Sequence, residues 1–402
     1  MAIQYIEGGV TAPQGYFATG VACGIKENGE KDLALVCSED VAAVAGIFTT
    51  NKVKGHSLKL TMQNIKSGYA TAIVINSGNA NACVGMKGDS DARAIASKTA
   101  ELLECSAEDI LVGSTGVIGV PLDIDKVLAG VEEAVGGMDP EGGHDAELAI
   151  MTTDTVAKEI AVRFNLQGEP VIIGGMAKGS GMIHPDMATM ISVLTTDANI
   201  SRKLLDTALK DVCKSTFNRV TVDGDTSVCD MVVIFANGLA DNPGIVNQDS
   251  DYYEFYEALE KVCTLLAKQI AADGEGATKL IEVQVFGAKT AESAYLASVS
   301  VAKSPLVKTA INGCDVNWGR IITALGYSGA DISPDLIDIS INKVFVCRSG
   351  AAAIYDEAKV VEQLSKKEVL ISINLNSGEF SDRVWTCDLS EEYVRINGSY
   401  RS

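Results

Sequence analysis

The chain has 402 residues, of which 47% are hydrophobic and 21% charged, the balance of a folded globular protein rather than a disordered one. Its formal net charge of −20 and pI near 4.6 speak against a nucleic-acid or anionic-membrane partner, because phosphates call for a basic surface. No apolar run reaches the roughly eighteen residues of a membrane span, and the N-terminal MAIQYIEGGVTAPQG has neither the basic nor the apolar part of a secretory signal, so a cytoplasmic location is expected.

In chain order, TAIVINSG (71–78) and PVIIGG (170–175) read as strands ending at glycine turns. The apolar run from Ile191 to Leu194 reads equally as a buried strand or helix, and MVVIFANG (231–238) as a third strand. From Ser250, the residues Tyr252, Phe255, Tyr256, Leu259, Val262, Cys263, Leu266 and Ile270 recur at three- and four-residue steps, which predicts an amphipathic helix. Asp249 or Ser250 is its expected cap and Gly274 its expected stop. KLIEVQVFG (279–287) is a further strand, and the strict alternation of Val369, Ile371, Ile373 and Leu375 predicts one with a single buried face. The class is α/β with mixed sheets, and 402 residues leave room for two or three domain-sized units.

The candidate chemistry emerges by elimination. Ten cysteines stand singly with no C-x-x-C, and His56, His144 and His184 show no ligand spacing, so neither a structural zinc site nor a disulfide framework is expected. Most of the thiols are expected to be small core residues. A phosphate loop is not expected because Lys178 precedes Gly179-Ser180, and neither GxGxxG nor GxSxG occurs. His184, between Ile183 and Pro185, reads as a turn or packing residue rather than a general base. Hydroxyl chemistry without an imidazole remains. A threonine at a chain start carries its own base, since the α-amino pKa of about 7.7–8.0 leaves a useful neutral fraction near neutrality. An internal threonine gains that amine only if the preceding peptide bond is cut.

The segment MAKGSGMIHPDMATMISVLTTDA (176–198) offers such a threonine. Together with APQGYFATGVACGIK, AGIFTTNKVKG, INSGNANACVG, GSTGVIG, MTTDT, GEGATK and KTAINGCDVNWGR, it resembles the ornithine acetyltransferase family, the bifunctional arginine-biosynthesis proteins also called glutamate N-acetyltransferases. The likeness spans essentially the whole chain in the family's order. It implies a layered mixed-sheet sandwich of the self-cleaving type with a C-terminal α/β portion. It also implies autocatalytic scission between Ala188 and Thr189, giving an N-terminal subunit 1–188 and a C-terminal subunit 189–402.

Thr189 matches the family's nucleophile, and Thr115 and Gly116 match its oxyanion-hole pair. Thr152, Lys178, Thr189, Glu275, Asn397 and Ser402 match substrate-binding positions. The implied reaction is a double displacement that moves acetyl from N-acetylornithine to glutamate, with no metal and no resident cofactor; acetyl-CoA is a further candidate substrate. Two cleaved pairs are implied to form a heterotetramer. Val228-Cys229 depart from the family's usual Thr-Asn before an aspartate, and Val316 stands where proline is commoner.

Two other readings stay open on the residues alone. The same amine–hydroxyl pair would serve an N-terminal-nucleophile amidase or aminopeptidase, and an uncleaved chain would be a non-catalytic amino-acid-binding protein. Singly, Thr115-Gly116 also reads as a strand-end turn, Lys178 as a surface charge, Glu275 as a solvated acid after a helix, and Asn397 as part of a frayed tail.

Overall fold

The computed structural model describes residues 3–184 and 190–399. Ala188, Thr189 and Ser402 lie outside the described residues. The first nine strands are β1 (Gln4–Ile6), β2 (Tyr16–Val21), β3 (Leu33–Phe48), β4 (Tyr69–Asn79), β5 (Ile110–Val117), β6 (Glu159–Leu166), β7 (Glu169–Lys178), β8 (Ile191–Thr196) and β9 (Met231–Ala236). They form one sheet in the order β1-β6-β7-β8-β9-β3-β4-β5, with β2 also on β3. The β4–β5 and β8–β9 pairs are parallel and the other pairings antiparallel, so the sheet is mixed as expected. The Ile191–Leu194 run is strand, every residue of β8 being buried.

Alternation along these strands sorts their side chains into separate cores. Met176, Ile191, Val193, Met231 and Val233 meet Val36, Val44, Ile73, Ile75 and Leu111 in an inner core. The helices of this unit are α1 (His56–Asn64), α2 (Met86–Leu102), α3 (Ile124–Gly136), α4 (Gly143–Ile150), α5 (Arg202–Ser215) and α6 (Ser250–Ala272). The outward faces of β7 to β9, through Ile173, Leu194, Val232 and Ile234, pack on α5 and α6. Leu33, Leu35, Ala72, Val74 and Val112 pack on α2 and α3. The result is a helix–sheet–sheet–helix sandwich whose central strands are covered on both faces, which is why β4, β8 and β9 read as near-continuous apolar runs. Strand β3 serves both layers because its register with β4 shifts between Cys37 and Ala42; the bulge bends the strand there.

The C-terminal portion adds β10 (Leu280–Ala288), β11 (Asp338–Ile341), β12 (Val344–Arg348), β13 (Ala351–Ala352), β14 (Glu368–Asn374) and β15 (Phe380–Cys387) in the order β13-β12-β11-β14-β10-β15. Helices α7 (Ala291–Ala302), α8 (Pro305–Asn312), α9 (Trp318–Gly326) and α10 (Glu357–Leu364) accompany it, and α11 (Glu391–Ser399) follows the last strand. Val283, Val285, Ile371, Ile373 and Val384 belong to a core of its own. Neighbouring Trp385 and Cys387 instead enter the α5/α6 core, so β15 is a wall shared by both units.

Helix α6 is capped by the Asp249 carboxylate, which accepts from the Tyr252 N–H at 3.4 Å. It stops where expected: Ala272 is the last helical residue, Asp273 is the C-cap, with its carboxylate bound by Lys158 and Thr155, and Gly274 follows. Val369, Ile371 and Ile373 are buried on one face of β14, with Leu375 just past its end. Six of the ten cysteines are buried. Among the described residues, no helix is long and apolar enough to cross a membrane.

Candidate active site

Thr115 and Gly116 lie just before the end of β5 at Val117, where the parallel pairing with β4 breaks register at Gly78 and Asn79. The asparagines of INSGNANA hold this break. Asn76 Nδ2 donates to the Asn79 carbonyl at 2.8 Å, and Asn79 Nδ2 donates to the Val120 carbonyl at 3.0 Å. The Asn81 N–H donates back to Asn79 Oδ1 at 2.8 Å, and the Ser114 hydroxyl donates to Asn76 Oδ1 at 2.6 Å. Such an irregularity re-aims a strand end. Gly116 has φ +127°, and a Cβ there would sit 2.4 Å from the Gly78 carbonyl carbon, so only glycine fits.

The facing wall grows from three other places. Lys178 ends β7 and is 2% exposed, so it is no surface charge. Thr152 lies in the loop between α4 and β6, its N–H donating to Asp154 Oδ2 at 3.0 Å. Glu275, just after α6, is 6% exposed, and its N–H donates to the Ser180 carbonyl at 3.0 Å. Gly181 permits this approach, since a Cβ there would lie 2.3 Å from the Glu275 carboxyl carbon. Asn397 is in the exposed helix α11, not a frayed tail, and its Nδ2 donates to Glu275 Oε2 at 2.7 Å. Tyr393 and Ser390 tie the same end of the chain to Asp223 and to the Gly276 carbonyl.

Beneath that wall lies a buried charge cluster that sequence reading missed. Lys158 Nζ sits 2.8 Å from Asp154 Oδ1 and 2.6 Å from Asp273 Oδ2, and Asp154 also accepts from the Gly179 N–H at 2.6 Å. Burial works against ionisation of Asp154, but Lys178 and Lys158 outweigh it and hold the carboxyl well below the usual range. Burial likewise opposes the charge on Lys158, and Asp154 and Asp273 overcome it, raising its pKa. Lys158 is thus saturated by two carboxylates. Lys178 stands 3.8 Å from Asp154, beyond hydrogen-bond reach, so Asp154 leaves its hydrogens for another acceptor. The four-residue spacing of Asp154 and Lys158 was the one available signal in the sequence.

Asp230, at the head of β9, was also missed. It is fully buried beside Thr49 and Ser227, yet neither carboxyl oxygen has a hydrogen-bond partner of good geometry among the described residues. Burial pushes its carboxyl well above the usual range, only partly offset by Thr49, Ser227 and Lys178.

Thr115, Gly116, Thr152, Lys178, Glu275 and Asn397 therefore line one cleft of about 550 Å³ of atom-free space, its open mouth included. Ala80, Ile118, Val228 and Cys229 also line it, together with Thr153, Gly181, Met182 and Ser227, so the Val228-Cys229 departure touches the cleft. The Val316 departure does not: that side chain packs on the C-terminal core. His184 hydrogen-bonds the Thr221 hydroxyl at 3.2 Å and does not line the cleft.

A hydroxyl and a backbone N–H at a strand break, facing a buried lysine and a buried carboxylate, are the furniture of an enzyme handling acylated amino acids. The family can be stated more narrowly. Residues 17–402 match the ArgJ family, and the chain belongs to it. It is 50% identical to the arginine biosynthesis bifunctional protein ArgJ of Caldanaerobacter subterraneus subsp. tengcongensis and 49% identical to that of Symbiobacterium thermophilum, over the full length of each chain. Among solved structures, the arginine biosynthesis bifunctional protein argJ of Bacillus halodurans is 47% identical with a TM-score of 0.50, the match covering 51% of this chain and 97% of that one.

Proposed function

We propose that the chain moves acetyl from N2-acetyl-L-ornithine to L-glutamate within arginine biosynthesis, in two half-reactions linked by an acetyl ester on Thr189. The observation that carries this reading is the convergence of Thr115, Gly116, Thr152, Lys178, Glu275 and Asn397 on one cleft from positions spread over the whole chain. Membership of the ArgJ family supports it independently.

In the first half-reaction the Thr189 hydroxyl attacks the acetyl carbonyl, with the α-amino group freed by cleavage after Ala188 as its base. The Thr115 hydroxyl and the Gly116 N–H stabilise the oxyanion that forms. Lys178 holds a substrate carboxylate, Glu275 with Asn397 an ammonium group, and Thr152 completes the polar wall. Ser402 belongs to the same substrate set by resemblance. Ornithine departs, glutamate enters with a carboxylate on Lys178, and its free amine attacks the ester carbonyl, taking the acetyl group and returning the Thr189 hydroxyl. The Bacillus halodurans chain, almost wholly matched by 51% of this one, has the length relation expected of a half-chain and supports maturation into 1–188 and 189–402. No resident cofactor is required. The relatives' description as bifunctional supports acetyl-CoA as a second donor, testable by thiol release with acetyl-CoA and glutamate.

Incubation with N-acetylornithine labelled in the acetyl group tests the whole reading. Label should become bound to protein, and glutamate should speed its release as N-acetylglutamate. Release as acetate, indifferent to glutamate, would mark an amidase instead. An absence of bound label and of product would remove the catalytic reading.

A further inference from the structure

Resting on the acyl-transfer reading above, we propose that Ala80, Ile118, Val228 and Cys229 form an acyl-chain subsite that admits N-acyl donors longer than acetyl, propionyl first. These four residues line the cleft. Ala80, Val228 and Cys229 also form, with Ala82, a small buried apolar cluster separate from the main cores, with Ile118 packed against it.

Three strand ends build this wall, since Ala80 follows β4, Ile118 follows β5, and Val228-Cys229 precede β9. Backbone bonds fix it: the Ala80 N–H donates to the Val117 carbonyl at 2.9 Å and the Gly55 N–H to the Val228 carbonyl at 2.9 Å. The Cys229 thiol donates to the Ala80 carbonyl at 3.4 Å. Burial raises the pKa of that thiol, so Cys229 acts here as a small hydrophobe and not as a nucleophile.

The cleft thus carries both apolar and charged lining, and Thr115 and Gly116 belong to the same lining. A carbonyl seated there divides its donor in two. The amino-acid part carries a carboxylate and an ammonium, which are costly to press against an apolar wall and find partners at Lys178 and Glu275. The acyl chain alone suits the apolar lining. Ala80, Val228 and Cys229 are buried, whereas Ile118 is only half-buried, so a movable side chain bounds the subsite on that flank. The chemistry does not change with chain length: the donor's amide C–N bond breaks as the ester C–O bond to Thr189 forms, and the hydroxyl proton leaves with the amine.

The experiment compares kcat/KM for N-acetyl-, N-propionyl- and N-butyryl-ornithine, with glutamate as acceptor, in the wild type, Ile118→Ala and Cys229→Leu. Propionyl transfer should come within about tenfold of acetyl transfer in the wild type. Ile118→Ala should raise the propionyl-to-acetyl ratio roughly tenfold and Cys229→Leu lower it by a similar factor, the smaller end of what one methylene is worth in an apolar pocket. Should Cys229→Leu not fold, Val228→Ala, which deepens the same wall, must raise the ratio as Ile118→Ala does. Acetyl turnover with an unchanged ratio in every variant overturns the subsite and leaves the proposed function standing. Failure of the wild type to transfer from any donor overturns both.

Discussion

Gly116 carries two demands in one residue: a backbone region that L side chains avoid, and space that the Gly78–Asn79 peptide already fills. Gly116→Ala should therefore turn the N–H away from the cleft. Its kcat for acetyl transfer should fall by about 10²–10³, the usual cost of losing one oxyanion donor, while the fold persists by circular dichroism. Unchanged kcat would show that this N–H plays no part. Asp230 makes a different prediction. Its folded pKa is raised, so its contribution to stability is present at low pH and is lost as pH rises through the folded value. Asp230→Asn should remove that loss, giving a variant that gains on the wild type in urea unfolding as pH rises above the ordinary carboxylate range, by at most about 1.4 kcal/mol per pH unit for one site. Parallel pH profiles would contradict this.

Single residues were only partly legible in the sequence. Lys178 and Glu275 each had a bland reading as a solvated charge, and burial decides against it for both. Asp230 gave no signal and the Lys158 cluster only its four-residue spacing, because burial of a side chain is decided by packing between segments remote in sequence.

At the level of elements, the Asp154–Lys158–Asp273 cluster fastens the loop after α4, the end of β7 and the turn after α6 to one another. Asp154→Ala leaves Lys158 with one carboxylate and removes the carboxylate 3.8 Å from Lys178, and should cost about 3–5 kcal/mol in urea denaturation. A cost below about 1 kcal/mol would mean that the loops are held by other contacts. Because the Asp154 pKa is depressed, the wild type keeps this stability above the ordinary carboxylate range and loses it as pH falls through the folded value, whereas the variant's acid limb should be flatter. Helix α11 acts from outside, bringing Asn397 to Glu275 across an otherwise exposed face. Asn397→Ala should raise KM for N-acetylornithine by roughly ten- to a hundredfold, matching a hydrogen bond to a charged group, with kcat little changed. A fall in kcat at constant KM would assign Asn397 to the chemical step instead. Periodicity foretold the strands and the α6 cap well, because hydrophobic spacing is local. It did not foretell that the Asp273 cap would bind Lys158, 115 residues away in sequence.

For the whole molecule, the α/β class was legible from alternating patterns, but the folding of one nine-stranded sheet into two layers was not. That depends on the β3 bulge and on pairing between distant strands. The same topology bears on maturation. Strands β7 and β8 flank the proposed scission point and pair along Ile173–Lys178 and Ile191–Thr196, and both feed the inner core and the α5/α6 core. Fragments cut before Thr189 would therefore share one sheet and stay together until denatured.

Mass spectrometry of the active protein tests the central claim most directly. Under denaturing conditions the account predicts two polypeptides, 1–188 and 189–402, that co-purify natively. It further predicts that the second becomes one acetyl group heavier after brief exposure to N-acetylornithine without glutamate. A fully active sample consisting of one uncut chain, or an acetyl group found on residues 1–188, would contradict it.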